Sequence, residues 1–147
     1  ALAERGIDLV AAGSSRAHHG PGGAPDGVRR LGYVPDALLP GLYAGARAFV
    51  LPSLHEGFGL PCLEAMASGV PVVASDRGAL PETCGDAALL VEPRRPDLVA
   101  EAVLAACLDE AVAARLRAAG RARAARFGWD ATARAVDAVL TGPDRRV

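Results

Sequence analysis

Apolar residues fall into short runs punctuated by glycine, proline and acidic residues, and their spacing alternates between strand-like and helical. Ile7 to Ala12, following Gly6 and ending at Gly13, is a short apolar run that predicts a buried parallel strand. Val28 to Val34 predicts a second strand, Ala46 to Pro52 a third, Val70 to Ser75 a fourth and Ala87 to Val91 a fifth. Pro35-Asp36 supplies a turn and helix cap before Leu38, Leu39, Leu42 and Tyr43 at helical spacing. Pro61 opens another helix where a missing amide donor costs nothing, and Gly69 closes it. Alanine, leucine and valine then recur with helical period from Pro96 to about Arg126, with Gly120 as the expected break, and a last helix covers Trp129 to Leu140. Strands alternating with helices across short turns indicate an α/β fold with a parallel sheet.

Ser14 to Gly27 has no helical period and reads as an exposed loop. Its adjacent His18 and His19 lack further ligands at fixed spacing, so surface histidines are the expectation and no metal site is assigned. At 147 residues the chain has the length of one domain with a real core. Its 51% hydrophobic and 22% charged composition excludes a disordered or collagen-like chain.

A net charge of -1 provides no global field to gather nucleic acid or anionic lipid, so an anionic ligand needs a local site. Arg115, Arg117, Arg121, Arg123 and Arg126 form the one candidate basic face. Asp109 and Glu110 lie nearby and no aromatics interleave, so a nucleic-acid or membrane-binding role ranks last. Cys62, Cys84 and Cys107 lie far apart with no C-x-x-C pair, as expected of reduced thiols in a cytosolic protein. No apolar run approaches the ~20 residues that span a bilayer. The expected localisation is cytoplasmic, at most peripheral to a membrane.

The chemistry concentrates in His55-Glu56-Gly57-Phe58-Gly59-Leu60-Pro61-Cys62-Leu63-Glu64, between a predicted strand and a predicted helix. In open α/β sheets ligands bind beyond the carboxyl ends of the strands, where a glycine-containing loop exposes amides at a helix N-terminus suited to phosphate. Gly57 and Gly59 let the backbone approach a ligand closely. Glu56 and Glu64 present carboxylates, which accept hydroxyl hydrogen bonds from a diol and repel phosphate. Taken together they point to a diphosphate flanked by sugar rings. Taken singly, a glycine loop before a helix is mostly turn chemistry, and a lone glutamate is mostly a solvated helix face.

From Leu31-Gly32-Tyr33-Val34 through Val91 the sequence resembles, almost without gaps, the retaining glycosyltransferases of the GT-B fold, family 4 (glycosyl transferases group 1). The mark of that family is a pair of glutamates separated by seven residues, here Glu56 and Glu64. Tyr43-Ala44-Gly45-Ala46, Leu51-Pro52-Ser53, Glu64-Ala65-Met66-Ala67, Gly69-Val70-Pro71-Val72-Val73 and Leu80-Pro81-Glu82 also match. The resemblance implies a Rossmann-like parallel sheet with flanking helices, the C-terminal half of a GT-B fold. It implies that Glu56, the candidate catalytic residue, holds the donor hexose and is not a covalent nucleophile. Amides around Gly57, Phe58, Gly59 and Leu60 would meet sugar and diphosphate oxygens, Glu64 would bind the ribose diol, and Val34 and Asp36 would lie beside the nucleobase.

The chain departs from the family in three places. Nothing matches the family's arginine and lysine on the diphosphate, and Arg16 sits in a loop without family likeness. The helix usual between the first two strands is shortened into Ser14 to Gly27. The first strand of the order 3-2-1-4-5-6 also has no match, so the sheet is expected to carry a gap with unpaired edges. The expected organisation is an incomplete donor-binding domain over residues 1–127. A C-terminal helix and tail over residues 128–147 would cross back to an absent N-terminal domain. Because Ala1 falls inside what reads as a helix end, the chain is expected to be part of something longer and inactive in isolation.

The function implied is transfer of a hexosyl group from a nucleoside-diphosphate sugar to an acceptor hydroxyl with retention of configuration. Neither metal nor cofactor is expected, and the acceptor, a sugar, lipid or small molecule, would be chosen by the absent domain. The alternative is a non-catalytic nucleotide-sugar-binding or regulatory module.

Overall fold

Backbone chemistry at glycine, proline and one aspartate sets the element boundaries. The computed structural model describes residues 2–13 and 27–142. The loop expected from Ser14 onward, with Arg16, His18 and His19, therefore lies outside the described residues. The chain divides into two compact units, Ala1–Gly45 and Ala46–Val147.

In the first unit a 3-10 turn at Ala3–Arg5 closes on left-handed Gly6, and β1 (Leu9–Ala12) pairs in parallel with β2 (Val28–Gly32). The register runs from Leu9 opposite Val28 and slips by one residue between Ala11 and Ala12. A second 3-10 turn, Asp36–Leu38, leads into α1 (Leu39–Ala44). Two expectations are corrected here. All four residues of β1 are exposed, so this apolar run is a strand but not a buried one. Two strands alone cannot cover each other's faces, and no described residue of this unit is buried. Asp36 makes no capping hydrogen bond; the turn tightens through backbone bonds, with the Leu38 amide donating to the Pro35 carbonyl at 2.9 Å.

The second unit holds β3 (Phe49–Leu51), α2 (Leu60–Ala67), β4 (Val72–Ser75), α3 (Leu80–Cys84), β5 (Ala88–Val91), α4 (Pro96–Leu108), α5 (Glu110–Ala124) and α6 (Trp129–Thr141). Its sheet is parallel in the order β3-β4-β5, with Val72 opposite both Phe49 and Ala88. Every residue of β4 is buried, so both faces of the sheet are covered around it. Val73 packs with Ala106 of α4 and Leu116 of α5 in a cluster that Val50, Leu89, Val91, Val103 and Val112 extend.

The architecture is α/β with parallel sheets flanked by helices, as expected. The strands form a pair and a triple, and among the described residues no pairing joins them.

The long helical stretch breaks at Asp109 and not at Gly120. Asp109 turns extended (φ -93°, ψ 105°), and its carboxylate accepts from the amides of Ala111 and Val112 at 2.9 and 3.1 Å, which caps α5. Gly120 stays helical because a Cβ there would lie 3.1 Å from the Met66 side chain; its smallness lets α5 approach α2. The short α3 carries no apolar period and was not anticipated. α6 forms as expected, with no buried residue and with Trp129 82% exposed.

Candidate functional site

Glu56 lies on the segment joining β3 to α2, at the carboxyl end of the sheet. The Ser53 hydroxyl donates to its Oε1 at 2.9 Å. Its carbonyl accepts from the Ala79 amide at 3.2 Å, and a Cβ on Gly78 (φ 59°) would come within 2.8 Å of that carbonyl oxygen. Only glycine fits the turn that grips Glu56. The carboxylate is half-buried, fixed through one oxygen, and retains acceptor capacity for a ligand.

Gly59 is the second fixed point. It is buried, left-handed (φ 92°), and caps α2; a Cβ would stand 2.5 Å from Leu80 Cδ2 on α3. The Gly59 carbonyl accepts from the Cys62 amide at 3.0 Å, and the Phe58 carbonyl accepts from the Thr83 hydroxyl at 2.5 Å. The amides of Phe58, Gly59 and Leu60 donate no backbone bond to the described residues, so they stand ready at the positive end of α2. Pro61, in the first turn, lacks a donor that the helix would not use. Glu64 projects from the exposed side of α2, while Cys62, Leu63, Ala65 and Met66 fill its buried side.

The structure thus brings Glu56, Gly57, Phe58, Gly59, Leu60 and Glu64 together on one loop and helix start. Half-buried Val34 and exposed Asp36 belong to the other unit. Sequence reasoning missed Ser53, Gly78, Thr83, Arg123 and Phe127. Ser53 and Gly78 sit in or beside motifs; Thr83 carries no sequence signal. A cleft of about 240 Å3, lined by Leu54, His55, Arg77, Glu92 and Arg94, adjoins the loop, and neither Glu56 nor Glu64 lines it.

Beneath the loop, Cys62 and Cys84 are fully buried and both are free thiols, as is Cys107. The neighbouring Cys84 pushes the Cys62 thiol up, and burial and the Glu56 carboxylate add to it. Among the described residues no group of three or more His, Cys, Asp or Glu could hold a metal ion. No described helix is long and apolar enough to cross a membrane. The arginines of α5 are largely engaged: Arg117 with Glu110 at 2.8 Å, Arg121 against Gly69, and Arg123 on the carbonyls of Thr83 and Glu82.

A glycine-turned loop leading from a parallel strand into a helix defines an α/β domain of Rossmann-like type. Comparison with known proteins makes the class specific. The model of the family described as Glycosyl transferases group 1 matches residues 1–109, and the chain belongs to that family. Over 103 residues it is 50% identical to the O-antigen chain mannosyltransferase B of Escherichia coli, covering 70% of this chain and 27% of that protein.

Among solved structures, sucrose-phosphate synthase (tll1590) from Thermosynechococcus elongatus superposes with a TM-score of 0.78 at 31% identity, covering 91% of this chain and 38% of that one. Anabaena Alr3699/HepE in complex with UDP-glucose superposes with a TM-score of 0.71 at 20% identity, covering 92% and 41%, and shares the fold. The chain therefore spans well under half the length of each of these proteins and corresponds to part of a GT-B glycosyltransferase domain.

Proposed function

We propose that this chain binds the donor in a retaining glycosyltransferase that transfers a hexosyl group from a nucleoside-diphosphate sugar to an acceptor hydroxyl. The observation that carries the reading is the arrangement at the start of α2: an anchored Glu56 carboxylate, the unengaged amides of Phe58, Gly59 and Leu60, and Glu64 one turn on. Membership of the group 1 family and the mannosyltransferase relative support it, as does the fold shared with a protein solved with UDP-glucose.

Each group has a distinct task. Glu56 accepts hydrogen bonds from hydroxyls of the hexose and orients the anomeric carbon. The amides of Phe58, Gly59 and Leu60 meet sugar and diphosphate oxygens and stabilise the charge that builds on the leaving diphosphate. Glu64 accepts from the ribose diol. Val34 and Asp36 are the proposed neighbours of the nucleobase. The acceptor is bound by an N-terminal domain outside these residues, and the C-terminal helix and tail over residues 128–147 cross back to it. No metal or other cofactor takes part in this scheme. The protein is placed in the cytoplasm, peripheral to the membrane where its acceptor is a lipid.

Calorimetric titration with UDP, GDP and ADP and with their glucose and mannose conjugates tests the binding half. One base class binding in preference to the others supports the donor site, and folded protein that binds none of them refutes it. Proton NMR of the product formed with an acceptor tests the chemical half: the donor's anomeric configuration should persist. Inversion refutes retention, and binding without turnover in the natural-length protein supports the non-catalytic module instead.

A further inference from the structure

We infer that Thr83, Arg123 and Phe127 are positioning residues that aim the Gly59 amide at the donor, through a closed circuit of contacts around the loop. The inference rests on the donor-site reading above. Four links close the circuit. The Thr83 hydroxyl donates to the Phe58 carbonyl at 2.5 Å, and the Thr83 carbonyl accepts from Arg123 Nε at 2.9 Å. The Arg123 guanidinium carbon lies 5.1 Å from the centre of the Phe127 ring, and that ring meets the Phe58 ring edge-on, 5.9 Å between centres at 82°. Phe58 is thus held twice, by its carbonyl from α3 and by its ring from the segment between α5 and α6.

The consequence follows from peptide geometry. In a trans peptide the carbonyl and the following amide point in opposite directions. With the Phe58 carbonyl drawn toward Thr83 on α3, the Gly59 N–H must point away from α3. Left-handed Gly59 leaves no room for a Cβ against Leu80 of α3, so the backbone passes close beside that helix. Thr83 is itself buried, so its hydroxyl has no water to prefer over Phe58. Arg123 also donates to the Glu82 carbonyl, which ends α3 on a permanent cation and fixes the platform carrying Thr83. Arg123 stacking on Phe127 and the edge contact between Phe127 and Phe58 are each modest, but a closed circuit leaves no single residue free to relax alone.

Steady-state kinetics on the natural-length protein, with melting temperatures on the same samples, tests this. Thr83→Val and Phe127→Leu should each raise the donor KM roughly tenfold and leave the acceptor KM unchanged. Thr83→Ser should restore most of the loss, because it keeps the hydroxyl. The double variant should lose less than the product of the two single losses, although the two side chains do not form one of the four direct links. A wild-type donor KM in both single variants, with or without a lowered melting temperature, overturns the positioning role. Failure of the underlying reading looks different: Glu56→Ala and Glu64→Ala would then leave donor binding untouched.

Discussion

Ile7 to Ala12 and Val70 to Ser75 look alike as sequence: short, mostly apolar, each preceded by glycine. One becomes β1, exposed at every position, and the other contains β4, buried at every position. Apolar composition therefore sets strand formation in both and burial in only one. β4 has a strand on each side and helices packed over it, whereas among the described residues β1 pairs with β2 alone. Burial belongs to the layers around a strand, and the loop carrying Glu56 rests on the unit that has them.

That contrast breaks most visibly with Leu116→Ala. Leu116 is fully buried against Val73, and its truncation should cost about 2–5 kcal/mol in denaturant unfolding. Gly78→Ala forces a Cβ into the Glu56 backbone at positive φ and should cost about 1–3 kcal/mol, with donor affinity falling alongside. Asp109→Ala removes two capping bonds from α5 and should cost about 1 kcal/mol. Val10→Ala in β1, 41% exposed, should cost less than about 0.5 kcal/mol. A Val10→Ala loss equal to that of Leu116→Ala would show that β1 is covered in solution, and the comparison of the two strands would fail. Amide exchange sharpens the same point, since β4 amides should outlast those of β1.

The α/β class and the five strands were legible from apolar runs, and the start of α2 from Pro61. The glutamate pair was legible because the motif is local in sequence. What stayed hidden depends on contacts between distant residues. Gly120 looked like a helix break because glycine is a poor helix former, but its packing on Met66 lies far away in sequence. Asp109 caps α5 through geometry that a run of alanines on both sides obscured. Thr83 reaches the loop across 25 residues and Arg123 reaches Thr83 across 40, with no periodicity to announce them.

The central claim is that Glu56 and Glu64 hold different ends of one donor. Its most direct test is calorimetric titration of wild type, Glu56→Ala and Glu64→Ala with a nucleoside diphosphate and with its sugar conjugate. The account predicts that Glu64→Ala weakens both ligands by about 1.5–3 kcal/mol, as expected for lost hydrogen bonds to a charged group. Glu56→Ala should remove only the added affinity of the sugar. Equal losses on both ligands from both variants would contradict the separate roles.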